Sequence, residues 1–96
     1  MKTISSNYRR GRRLEYLART ALVAEGYTVV RAAGSKGPAD LVAMNANQVR
    51  LIQIKSPGHV QDSDREKLRA VKCPRARREI WVRYPKEWRI EIVARK

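Results

Sequence analysis

The sequence predicts a single α/β domain over residues 1–96, with a central mixed sheet of five strands flanked by helices. Three observations predict it. Segments of helical period alternate with short β-branched segments, in the order helix, three strands, helix, two strands. Ninety-six residues are enough for one hydrophobic core and too few for two. Apolar residues make up 43% and charged residues 32%, neither of which suggests disorder.

Residues 1–8, MKTISSNY, carry no pattern and are expected to form a mobile arm. RRGRRLEYLARTALVAEG follows as a helix. Leu14, Leu17, Ala18, Ala21 and Leu22 fall on one stripe, and Gly26 supplies the stop. At about 100° per residue, Arg9, Arg12 and Arg19 lie away from the stripe, Arg10 and Arg13 near its other flank, and Glu15 at its edge. YTVVRAA is the first strand and leads into the glycine loop GSKG. Pro38 opens ADLVAM, the second strand, and the turn NANQ joins it to VRLIQIK, the third. Ser63 and Glu66 have capping-box spacing, which predicts a second helix over SDREKLRAVK, stopped before Pro74. EIWVRY and RIEIVA complete the sheet, separated by PKEW. Their apolar faces exceed what a monomer of this size must bury, so one face is expected either to pair with a second copy or to cover the second helix.

Charge gives the first functional indication. Twenty-two Lys and Arg against nine Asp and Glu leave a net charge of +13, with a pI near 10.9. A domain this basic is suited to nucleic acid, where its cations displace condensed counterions. A ribosomal or RNA-binding role rests on the same charge. The single cysteine, Cys73, has no partner for an internal disulfide, and the only histidine, His59, offers no zinc cluster. With no long apolar run and no leader pattern, the expected location is the cytoplasm.

Polar residues inside the most strand-like segment are the second indication. In VRLIQIK, Val49, Leu51, Gln53 and Lys55 share one face, while Arg50, Ile52 and Ile54 share the other. Gln53 and Lys55 thus extend a row that begins apolar. A solvated row would be polar throughout, and an unpaired buried lysine would cost several kcal/mol. The alternative is a polar cleft at a sheet end, with Asp40 as countercharge. That set suits phosphodiester cleavage, which needs neutralised phosphoryl oxygens and an activated water. A hard cation such as Mg²⁺, held by one or two carboxylates, provides both. Ser35, between two glycines, stands where backbone and hydroxyl can approach a phosphate; it reads equally as a turn serine.

Asp40, then twelve residues, then Gln53-x-Lys55 on two adjacent strands resembles the core motif of the PD-(D/E)XK nucleases, whose restriction-endonuclease-like fold is the mixed sheet predicted above. More narrowly, Glu15 in the first helix, RAAGS (residues 31–35), Asp40-Leu41 and Gln53 to Ser56 resemble the archaeal-type Holliday junction resolvases, the Hjc family. The match covers roughly residues 9–56, and the remainder matches only in element order. The resemblance implies a homodimeric endonuclease dependent on Mg²⁺, with Mn²⁺ able to substitute, that nicks a four-way DNA junction at symmetry-related positions. No small-molecule cofactor or membrane is implied, and the gene could be cellular or carried by a virus or phage. Glu15, Asp40 and Gln53 would bind metal directly or through water. Lys55 would be the catalytic lysine, and Ser35 would orient near the scissile phosphate.

The family usually has Glu where this chain has Gln53, which keeps a carbonyl oxygen but removes a negative charge. Weaker metal binding and a preference for Mn²⁺ are expected. Arg9, Arg10, Arg12, Arg13, Arg31 and Lys36 are the expected DNA contacts, and PRARRE (residues 74–79) either extends that surface or is a solvated face. No segment resembles a groove-reading helix, so recognition by junction shape is expected. Two alternatives remain: a nuclease acting on duplex or flap DNA, and a catalytically inactive DNA-binding protein of the same fold.

Overall fold

Helix α1 runs from Ser6 to Ala24 and ends in a turn closed by Gly26 at φ 96°. In the computed structural model the described residues are 6–32 and 37–94, with side chains described from Arg9 onward. After α1 come β1 (Thr28–Arg31), β2 (Leu41–Met44), β3 (Val49–Lys55), α2 (Asp62–Arg69), β4 (Arg77–Tyr84) and β5 (Glu87–Ile92). The five strands form one sheet in sequence order. β3 and β4 are parallel and every other neighbouring pair is antiparallel. The parallel pair requires a crossover, and α2 supplies it.

Each helix covers one face of the sheet. Ala18 and Leu22 of α1 pack on Leu41, Ala43, Ile52 and Trp81. Leu68 of α2 packs on the opposite face with Leu51, Ile80 and Val93. Strand alternation therefore divides β3 as its sequence predicts: Ile52 goes to the α1 side, and Leu51 with Gln53 to the α2 side.

Charged residues sit inside both layers. Glu79, with no exposed surface, accepts from Arg50 Nε at 3.0 Å and Nη2 at 2.8 Å, and from the Trp81 indole N–H at 2.8 Å. The Arg50 guanidinium also lies over the rings of Tyr27 and Trp81, at 5.0 and 5.5 Å from their centroids. On the other side, buried Arg78 donates to the carbonyls of Leu68 in the last turn of α2 and of Val71, Cys73 and Ala76 in the connection that follows, tying that loop to the sheet.

Four expectations need correction. α1 starts at Ser6, so three residues assigned to the arm are helical; residues 1–5 lie outside the described set. α2 is shorter than predicted, and its N-terminal box is not Ser63 with Glu66. Gln61 is the N-cap, and its N–H donates to Asp64 Oδ2 at 2.8 Å. Asp satisfies the same geometry as Glu in this box, and two residues of register were lost by reading Ser-x-x-Glu alone. PRARRE is not a uniformly solvated face, because Arg78 and Glu79 are buried in it while Arg75 and Arg77 are exposed. The last hairpin turns on Pro85 and Lys86 only, since Tyr84 pairs with Glu87; Pro pre-sets its own φ and Lys86 takes φ 73°.

Candidate active site

The sheet end that carries Asp40 also carries the end of β3. Asp40 N–H donates to Ile52 O at 2.8 Å, and its carboxylate Oδ2 accepts from Ile54 N at 2.7 Å. Asp40 and Lys55 are thereby held at one end of two paired strands. The N-terminal half of α1 crosses the same end. Together Arg10, Gly11, Leu14 and Glu15 of α1 with Asp40, Ile54, Lys55, Ser56 and His59 enclose a cleft of about 470 Å³. Three of the predicted catalytic residues, Glu15, Asp40 and Lys55, therefore meet in one cavity, with Arg10 of the predicted DNA contacts beside them. Glu15 also accepts from Arg31 Nε at 2.7 Å, which places the β1 arginine at its edge.

Gln53 is buried, and its amide is pinned twice. Its Nε2 donates to Pro38 O at 2.8 Å and to Asp64 O at 3.1 Å. Two carbonyl acceptors fix that orientation, because a flipped amide would set oxygen against oxygen. The remaining Oε1 is buried and meets no hydrogen-bond donor among the described residues. A buried acceptor without a donor is unusual and fits a cation or water.

Electrostatics mark Asp40 as the strained acid of the cleft. Burial raises its pKa above the ordinary 3.8; the Ile54 N–H pulls it back, Glu15 and Asp64 push it up, and Lys55 lowers it. Asp64, which the sequence reading missed, reaches Lys55 Nζ at 3.1 Å. Its pKa is lowered overall: burial works against the anion, and the Gln61 N–H and Lys55 outweigh it. A helix-capping carboxylate has no signature distinguishing it from a site residue, so only the fold could reveal Asp64. His59 is exposed at the rim of the cleft, as expected of a loop histidine.

Among the described residues there is no cluster of three or more His, Cys, Asp or Glu side chains able to hold a metal. Two carboxylates, Glu15 and Asp40, converge in the cleft; Gln53 does not line it, and its unpartnered Oε1 is buried on the α2 side of β3. The two carboxylates fit Mg²⁺ or Mn²⁺, which take one or two carboxylates and complete their shell with water and phosphate oxygens. Arg9, Arg10, Arg12 and Arg13 are exposed along the first half of α1, beside the cleft, and Arg31 is exposed on β1. Ser35 and Lys36 lie outside the described residues.

A five-stranded mixed sheet with a carboxylate-lysine cleft at one end defines a nuclease of the PD-(D/E)XK type. The fold matches that of Archaeoglobus fulgidus Hjc, a Holliday junction resolvase from an archaeal hyperthermophile, with a TM-score of 0.71 and 24% identity over 88% of this chain and 73% of that one. The model of the archaeal Holliday junction resolvase family (Hjc) matches residues 6–91, so the chain belongs to that family. Comparison with curated proteins gives no match. The protein is thus a nuclease that binds branched DNA and resolves Holliday junctions, in a class of enzymes generally dependent on divalent metal. No helix among the described residues is long and apolar enough to cross a membrane.

Proposed function

We propose that this resolvase cuts with Mg²⁺, or Mn²⁺ in its place, acting as a homodimer whose two subunits make paired, symmetric nicks in a four-way junction. The observation that carries the reading is the meeting of Glu15, Asp40 and Lys55 in one cleft beside exposed arginines. Glu15 and Asp40 would hold the metal in the cleft, and the buried Gln53 Oε1, outside the cleft lining, would contribute through water. When bound, the ion would neutralise phosphoryl oxygens and acidify a water.

The protein's own groups do the rest. Arg10, lining the cleft, draws the DNA backbone toward it, with Arg9, Arg12, Arg13 and Arg31 as further phosphate contacts and Ser35 and Lys36 contributing from the glycine loop. The Lys55 ammonium faces the phosphate and orients the attacking water. Asp40, tied to the Ile54 N–H, keeps its carboxylate aimed into the cleft rather than into solvent. For the dimer, the support is apolar surface: Ile90 is 43% and Ile92 53% exposed on β5, beside half-buried Trp88. A resolvase of this kind works in the cytoplasm, on cellular or viral DNA.

The test is a mapping of cleavage products from end-labelled four-way junction, matched duplex and flap, in Mg²⁺ and in Mn²⁺. Paired nicks at symmetry-related positions, confined to the junction, are expected. Equal cutting of every substrate would make it a general nuclease, and tight junction binding without cutting in either metal would make it a binder.

A further inference from the structure

Asp64 has two partners of different kinds. Its Oδ2 accepts from the Gln61 N–H at 2.8 Å and so completes the start of α2. Its Oδ1 lies 3.1 Å from Lys55 Nζ, and the carboxylate is almost fully buried, with 9% of its side chain exposed. Lys55 is itself only 28% exposed in its side chain, so the pair is shielded from competing water and salt. The Asp64 backbone carbonyl, in turn, is where the Gln53 amide is pinned at 3.1 Å. One residue therefore touches both strand groups of the predicted motif.

The chemistry of position 53 explains why that matters. An amide donates to the carbonyls of Pro38 and Asp64, which a carboxylate at this position could not do. With glutamine there, the cleft loses an anion beside Lys55. The Asp64 carboxylate stands where it offsets the lysine charge, and it interacts with Asp40 through space as Glu15 does.

Building on the nuclease reading above, we propose that Asp64 is a positioning residue of the cleft. Its carboxylate fixes the Lys55 ammonium and returns to the site the negative charge that glutamine at 53 leaves out. Asp64 does not touch DNA or metal; it acts through Lys55.

Two substitutions separate this from a capping role. Asp64→Asn keeps an oxygen that can accept the Gln61 N–H, and Asp64→Ala does not. Three quantities are read for each: the single-turnover rate on a four-way junction, junction affinity in EDTA, and Mn²⁺ affinity without DNA by electron paramagnetic resonance of free Mn²⁺. Asp64→Asn should fold with a melting temperature somewhat below wild type at neutral pH, because the lowered pKa of Asp64 makes the ionised carboxylate stabilising, and should keep unweakened junction affinity. Its rate and its Mn²⁺ affinity should each fall by about tenfold or more, as is typical when the partner of a site residue is lost. An Asp64→Asn protein with wild-type rate and Mn²⁺ affinity, alongside an unstable Asp64→Ala, would reduce Asp64 to a helix cap and overturn the proposal. Wild-type protein that takes up no Mn²⁺ and cuts no junction would overturn the nuclease reading itself, and this inference with it.

Discussion

The Asp40 carboxylate accepts the backbone N–H of Ile54 at 2.7 Å, so the acid that opens the second strand is locked to the residue just before Lys55. Acid and lysine are thus set in register by the antiparallel pairing of β2 and β3, in which Leu41 faces Ile52. A one-residue slip of that register would turn Lys55 to the opposite face of the sheet.

Burial of Asp40 predicts a pH dependence of stability. Its pKa in the folded state is raised, first by burial, so the ionised form is less favourable folded than unfolded. Its contribution to stability is full below the ordinary 3.8 and is lost as pH rises through the raised value. Asp40→Asn, which retains an acceptor for the Ile54 N–H, should therefore melt higher than wild type at neutral pH. The difference should shrink in acid, as followed by circular dichroism. In the metal-free protein the Asp40 carboxyl should titrate above 3.8, as followed by carboxyl-carbon NMR.

Glu79 is the group whose loss should damage the fold most. It has no exposed surface and neutralises Arg50 from within the α1 layer. Glu79→Gln keeps the shape and leaves the buried Arg50 guanidinium only the exposed Glu25 carboxylate at 3.8 Å, at a cost approaching the ~3–5 kcal/mol of a broken buried pair. Against a typical total stability of about 5–15 kcal/mol, that is a large share. A urea titration should show the midpoint falling accordingly. Arg50→Met combined with Glu79→Gln should cost less than the sum of the two single changes, since the double variant removes the charge that each single change orphans.

The arginines of α1 should be visible in the salt dependence of binding. Arg10 lines the cleft, and Arg9, Arg12 and Arg13 are exposed near it. Each phosphate contact removed should flatten the slope of log affinity against log salt by about 0.9. Arg10→Ala measured by fluorescence anisotropy on a four-way junction, in EDTA, should show that change. An unaltered slope would place the DNA elsewhere.

Much of this was legible in the sequence because it is local or periodic. The third strand, Val49–Lys55, matches its expected limits, since the polar NANQ turn before it and Ser56-Pro57-Gly58 after it bound an apolar, β-branched run. Glu15, Asp40 and Lys55 were findable from spacing, and the fold brings them into one cleft. What was not legible depends on pairing between distant segments. Arg50 and Glu79 read as ordinary surface charges until the parallel pairing of β3 with β4 buries them together. Arg78 sits in a basic run and yet is buried, holding the connection after α2 through four carbonyls. Asp64 resembled any acid in a helix's first turn; only the crossover that brings α2 back past β3 sets it against Lys55.

The most direct test of the cleft as the seat of cleavage compares wild type with Asp40→Asn on a labelled four-way junction, reading binding in EDTA and cutting in Mg²⁺ and Mn²⁺. The account predicts that Asp40→Asn binds the junction as well as wild type and leaves it intact in both metals. An Asp40→Asn protein that still cuts at the wild-type rate would contradict it.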